Sequence, residues 1–251
     1  MNINIDKVNI HYEILGEGKP LLILHGWGGC INSMYPLIEY YKKSHKVITL
    51  DFPSHGESSM IENWNVTDYM NNLYNFLQEL KIEKVDIICH SFGGRVSILL
   101  AALHPEMVDK LVLIDSGGML CKRTPKYYAK LYSYKIAKHL MKLKYRNKEE
   151  YDKWLEEERK KRSSNDFNAL KPEMRSTFIK VVNQNLKPYL KKITAPTVLI
   201  WGEFDKDTPI YMAKQINKGI KGSTLHILEN CGHFSYLDDF NSVVKIIDEF
   251  I

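Results

Sequence analysis

Val85-Asp86-Ile87-Ile88-Cys89, continuing into His90-Ser91-Phe92-Gly93-Gly94, is the stretch that decides how this 251-residue chain folds. Its first five residues form a short apolar run suited to a fully buried strand. Residues 94–103 read as a helix that stops before His104-Pro105. Ser91 therefore stands at a strand-to-helix corner. A corner this tight strains the serine backbone and needs small residues at its flanks, so that strand and helix can approach. Gly93 is one flank. Cys89 holds the other, where the G-x-S-x-G pattern has glycine. The plainer alternative is that Ser91 only caps a helix.

Outward from this corner, strand-like and helix-like segments alternate. Residues 2–5 and 8–14 form a strand pair, and residues 16–20 a turn. Leu21–Leu24, Val47–Leu50 and Leu111–Ile114 are short apolar strands, and residues 33–42 and 67–80 read as helices. This βαβαβ order predicts an α/β fold, a mostly parallel sheet flanked by helices on both faces. The pattern lapses over residues 119–187, which are rich in Lys, Tyr and Glu and read as helices. It resumes with strands at 197–201 and 224–228 and helices at 209–217 and 239–250. Residues 1–118 and 188–251 thus make one discontinuous core, with 119–187 inserted between two strands of one sheet.

A serine hydroxyl attacks a carbonyl only with a base beside it and donors where the oxyanion forms. The donors expected here are the backbone N–H groups of Phe92 and of Trp27, in the loop His25-Gly26-Trp27-Gly28-Gly29. The base expected is His233, in Asn230-Cys231-Gly232-His233-Phe234 after the last strand. The acid should precede it at a strand end. Asp205 is the first choice, Asp207 the second, and Asp115, at the end of an earlier strand, the third.

The order Ser91…Asp205…His233, each just past a strand, resembles the α/β-hydrolase family over nearly the whole chain. The matching residues are His25-Gly26-Trp27-Gly28, Asp51-Phe52-Pro53-Ser54-His55-Gly56-Glu57-Ser58, His90-Ser91-Phe92-Gly93-Gly94-Arg95, Trp201-Gly202-Glu203-Phe204-Asp205 and Gly232-His233-Phe234. Ser54 departs from the family's D-x-P-G-x-G-x-S loop. The resemblance implies an inserted helical cap at 119–187 and acyl transfer through Ser91, needing no metal or organic cofactor. It disfavours members with an aspartate nucleophile. Tyr127, Tyr128, Leu131, Tyr132, Tyr134 and Ile136 are expected either to roof the pocket or to pack cap helix on cap helix. His90 and Arg95 are candidate substrate contacts. For Arg95 the readings are an ion pair with a structural carboxylate, or recognition of a substrate carboxylate helped by Arg123, Arg146, Arg159, Arg162 or Arg175. The Ser-x-Gly-Gly-Arg run is similar to that of the menaquinone-pathway synthase, and also to that of plain esterases.

Composition bounds the rest. Net charge is +5, but residues 119–187 hold 19 Lys+Arg against 8 Asp+Glu, and the remainder 16 against 22. The basic segment is either a set of solvated helices, with Glu149, Glu150 and Glu156–Glu158 as i,i+4 partners, or a surface for acidic partners. Cys30, Cys89, Cys121 and Cys231 have no metal spacing, which points to a reduced, cytoplasmic chain. The N-terminus does not read as a signal peptide, and no apolar run reaches the roughly 20 residues of a membrane span. No nucleic-acid motif appears. The expected partner is a small molecule. The leading expectation is a carboxylic ester hydrolase. The alternatives are a carbon–carbon bond hydrolase or lyase on a carboxylated substrate, and a ligand receptor with a vestigial triad.

Overall fold

The inner parallel strands bury both faces, because successive side chains point to opposite sides and helices cover each side. In the computed structural model, which describes residues 1–122, 125–162, 167 and 170–251 (backbone alone for Lys126, Tyr127 and Arg162), this gives two apolar layers. Ile87 and Cys89 join one layer and Ile88 the other. The strands are β1 (Asn2–Ile5), β2 (Val8–Leu15), β3 (Lys19–Leu24), β4 (His45–Leu50), β5 (Val85–His90), β6 (Val108–Ile114), β7 (Thr197–Gly202) and β8 (Thr224–Leu228). They form one sheet in the order β1-β2-β4-β3-β5-β6-β7-β8. β2 pairs antiparallel with both β1 and β4, and the other neighbours run parallel.

The helices are α1 (Tyr35–Tyr41), α2 (Val66–Glu79), α3 (Phe92–Leu103), α4 (Pro125–Lys144), α5 (Lys148–Arg162), α6 (Pro172–Asn183), α7 (Lys187–Leu190), α8 (Ile210–Gly219), α9 (Ser235–Asp238) and α10 (Phe240–Asp248). α2 begins with a capping box in which Asn65 accepts from Thr67 and Asp68 N–H and Asp68 reaches back to Asn65 N–H. The helix expected at 239–250 is α10, capped by the Asp239 carboxylate through Ser242 N–H, and the short α9 precedes it. The described residues between β6 and β7 contain helices and no strand.

β3 lies between β4 and β5, so the chain leaves it in opposite directions on its two sides. Ligands of open α/β sheets bind in the crevice at the carboxyl ends of the strands at such a reversal. The loops after β3 and β5, which carry Trp27 and Ser91, open there. No helix among the described residues is long and apolar enough to cross a membrane.

Candidate active site

Ser91 has φ 49° and ψ −105°, a conformation that L residues rarely adopt, and its side chain caps nothing in α3. The strain is held from both sides: Ser91 N–H donates to Ile114 O (3.1 Å), and Ser91 O accepts from Gly94 N–H (3.1 Å) and Gly117 N–H (2.9 Å). Gly93 is required, because a Cβ there would lie 2.9 Å from the carbonyl oxygens of both Leu24 and His25. Cys89 is accommodated at the other flank. It is fully buried, with Sγ 3.2 Å from Val112 O. Burial pushes its thiol up to about 12, so it is inert as a nucleophile.

The fold brings Ser91, His233 and Asp205 together. His233 Nε2 lies 3.0 Å from Ser91 Oγ, and His233 Nδ1 lies 2.9 Å from Asp205 Oδ2. Asp205 is fixed by three further donors: Asp207 N–H (2.9 Å) and Thr208 N–H (2.8 Å) on Oδ1, and the Thr208 hydroxyl (2.6 Å) on Oδ2. Burial works against charge on both partners. The hydrogen bond and the mutual attraction outweigh it, so Asp205 is held below and His233 above its ordinary value. Asp205, Asp207 and His233 also offer atoms within 4.8 Å of one another that could hold a cation. Both Asp205 oxygens are already hydrogen-bonded, which suits a triad better than a metal centre.

Of the other candidate acids, Asp207 supplies only its N–H to Asp205. Asp115 is fully buried and turned away from the His233 ring: Oδ1 accepts from Gly202 N–H (2.8 Å), and Oδ2 from Ser235 N–H (3.0 Å) and Oγ (2.6 Å). It ties the end of β7 to the loop that carries His233. Thr208, whose hydroxyl lies between Asp115 O and Asp205, and Ser235 were missed in the sequence. A threonine three residues beyond the acid is the one signal that could have marked the first.

Gly93 N–H donates to His25 O (3.1 Å), which clamps the Trp27 loop against α3. Among the described residues the backbone N–H groups of Trp27 and Phe92 make no hydrogen bond. The Trp27 indole sits among the rings of His55 (4.9 Å), Phe92 (5.2 Å) and Phe178 of α6 (5.3 Å). Its Nε1 and Thr177 Oγ1 of α6 are buried without a partner among the described residues. Phe178 thus places α6, part of the insertion expected at 119–187, over the loop. Tyr132 and Ile136 are exposed, and the Tyr127 side chain lies outside the described residues.

His90 does not sit where a substrate would touch it. It is 2% exposed beside the His233 ring, and its Nε2 donates to His233 O at 2.7 Å. Burial lowers its pKa to about 3, so the ring stays neutral and props the loop that carries His233. Arg95 forms no ion pair among the described residues. Its Nη1 donates to Val181 O (3.1 Å) and Gln184 O (3.2 Å), at the C-terminal end of α6, where a cation suits the helix dipole. Burial lowers its pKa to about 10, which leaves it charged at neutral pH. Arg175 and Arg159 are both committed to Glu156, at 3.1 Å each. Arg123 and the Arg162 side chain lie outside the described residues.

Comparison with known proteins bears on this arrangement. A hydrolase of 2-hydroxy-6-oxononadienedioate and 2-hydroxy-6-oxononatrienedioate from Klebsiella pneumoniae is 28% identical, aligned over 96% of this chain and 93% of its own. A meta-cleavage product hydrolase from Pseudomonas fluorescens superposes with a TM-score of 0.74 at 21% identity, over 100% of this chain and 96% of its own. An enol-lactonase from Burkholderia xenovorans gives a TM-score of 0.76 at 17% identity, over 100% and 99%. At such identities the two structures speak for the fold alone. Residues 19–240 match the model of the alpha/beta hydrolase fold. With its eight-stranded sheet and strained Ser91 corner, the chain belongs to the alpha/beta hydrolase family.

Proposed function

We propose that this chain is a serine-nucleophile hydrolase that attacks a carbonyl carbon, with Ser91 as nucleophile, His233 as base and Asp205 as its orienting acid. The observation that carries the reading is the unbroken chain Ser91 Oγ–His233 Nε2 and His233 Nδ1–Asp205 Oδ2, at 3.0 and 2.9 Å. Residues 119–187 serve as the cap in this reading, and the four free cysteines support a reduced, cytoplasmic setting.

His233 takes the Ser91 proton as Oγ adds to the carbonyl. The Trp27 and Phe92 N–H groups receive the oxyanion, and each such donor is worth on the order of 10²–10³ in rate. The tetrahedral adduct collapses, the leaving group departs with the bond's electron pair, and His233 gives it the proton. Water then cleaves the acyl-serine by the same route, and the Ser91 hydroxyl is restored.

For the bond cleaved, the Klebsiella relative favours the carbon–carbon alternative over the ester that the sequence put first. A carbon leaving group must be stabilised: once a 2-hydroxydiene has tautomerised to its 2-keto form, the electron pair left on the departing carbon delocalises onto the 2-keto oxygen. Arg95 supports a carboxylated substrate: it is a half-buried cation, one helical turn from Ser91, without a carboxylate partner among the described residues. The test compares a 2-hydroxy-6-oxo-dienedioate with a p-nitrophenyl ester series, using wild type and Ser91→Ala. Faster, Ser91-dependent cleavage of the diketo acid supports the carbon–carbon reading. Faster ester turnover restores the ester hydrolase. Tight binding without turnover of either would assign a receptor. Arg95→Met should lower kcat/KM for the dicarboxylate by about 10–100-fold, the value of one charged hydrogen-bonding contact. Neutral esters should lose far less.

A further inference from the structure

Helix α4 carries two apolar stripes. At 3.6 residues per turn, Leu131, Tyr134, Ala137 and Met141 share one side and are half-buried. Tyr132, Ile136, Leu140 and Leu143 share the opposite side, 56%, 61%, 55% and 72% exposed. A helix that only covers a site needs the first stripe. The second leaves four large apolar side chains in water on successive turns, the kind of patch that marks an interaction surface.

The outer stripe is bordered by cations on both edges. Lys144 lies along one edge, and Lys135 and Lys142 along the other, all exposed; Lys130 and Lys138 fall on the side of Leu131 and Met141. Pro125–Lys144 contains no Asp or Glu. In α5 the acids are interspersed, and Glu156 is paired with Arg159 and Arg175. The solvated-helix reading of the basic segment therefore suits α5 and fails for α4.

We propose that the outer face of α4 docks this protein reversibly on an anionic lipid bilayer. The helix would lie in the membrane plane, with Tyr132, Ile136, Leu140 and Leu143 at the headgroup–acyl boundary and the lysines reaching the anionic headgroups. Charge complementarity selects this occupant. The basic excess of residues 119–187, 19 bases against 8 acids, opposes an acidic remainder of 16 against 22, which turns this side toward a negative plane. A second copy fits worse, because two α4 helices face to face would bring lysine edges together with no carboxylate between them. The inference does not depend on the reaction proposed above.

The test is vesicle flotation of the full chain on phosphatidylcholine alone and on a phosphatidylcholine–phosphatidylserine mixture, at low and high salt. Binding is expected on the mixed vesicles only, and should weaken with salt. Lys135→Gln with Lys142→Gln should lower the partition about 25-fold, roughly fivefold per charge. Ile136→Ser with Leu140→Ser should abolish it. All four side chains are exposed, so melting temperature and turnover of a soluble substrate should stay unchanged in both pairs. Absence of flotation on mixed vesicles, equal flotation on neutral ones, or indifference to both pairs would overturn the proposal. A dimer in sedimentation that the Ser pair dissolves, with no vesicle binding, would give the face to a second copy instead.

Discussion

Replacing Asp115 by Asn should change how stability depends on pH while leaving chemistry nearly intact. Burial raises the Asp115 carboxyl from 3.8 to about 7, against the pull of the Gly202 and Ser235 donors. A carboxyl raised on folding favours the native state at low pH, and that contribution fades as pH climbs from the unfolded toward the folded value. A rise from 3.8 to about 7 amounts to about 4 kcal/mol in all. Between about pH 5 and about pH 8 the wild type should lose about 2–3 kcal/mol through this group. Asn carries no such charge, so the variant lacks that slope. It has its own cost, about 1–3 kcal/mol, because its amide sets a donor against one of the donors that the carboxylate accepts. The variant should therefore be the weaker protein near pH 5 and gain about 2–3 kcal/mol on the wild type by pH 8. Urea denaturation at both pH values, with unchanged m, measures this. Parallel stability curves would refute the argument. Turnover should stay within about tenfold, since the Asp115 carboxylate does not reach His233. A loss near 10⁴, the scale for removing a triad acid, would mean that the acid has been misassigned.

Three further outcomes follow from the site. Asp205→Asn should lower kcat by about 10⁴ through loss of the productive His233 tautomer, whereas Asp207→Asn, which keeps the N–H that Asp205 uses, should cost less than about tenfold. Because His233 must be neutral to accept the Ser91 proton and is raised above 6.5, kcat/KM should fall toward acid with a midpoint above 6.5. Without the Asp205 charge, that limb should move to lower pH. Gly202→Ala should destabilise by about 1–3 kcal/mol and lower kcat about 10²-fold, because its Cβ would meet the Gly232 carbonyl and displace the adjoining His233. Thermal melts and steady-state kinetics on one preparation separate the two effects.

The sequence by itself determined what depends on neighbours along the chain. Short apolar runs of four or five residues marked the inner strands β3 to β7, because burial on both faces demands them. The glycine beside Ser91 marked the corner, because only a residue without Cβ fits against Leu24 and His25. The order of Ser91, Asp205 and His233 was legible because each follows such a run. Only the tertiary structure decided which buried polar groups meet. Asp115 reaches Ser235 across 120 positions, and His90 reaches the His233 carbonyl across 143. No spacing in the chain encodes such a pairing, so His90 read as a substrate contact and Asp115 as a spare acid. Arg95 found helix carbonyls, where the sequence offered only carboxylates. In α4 the lysines surround the helix, and apolar residues lie on two opposite faces. Periodicity alone could not say which face turns inward, because that depends on where the insertion meets the sheet.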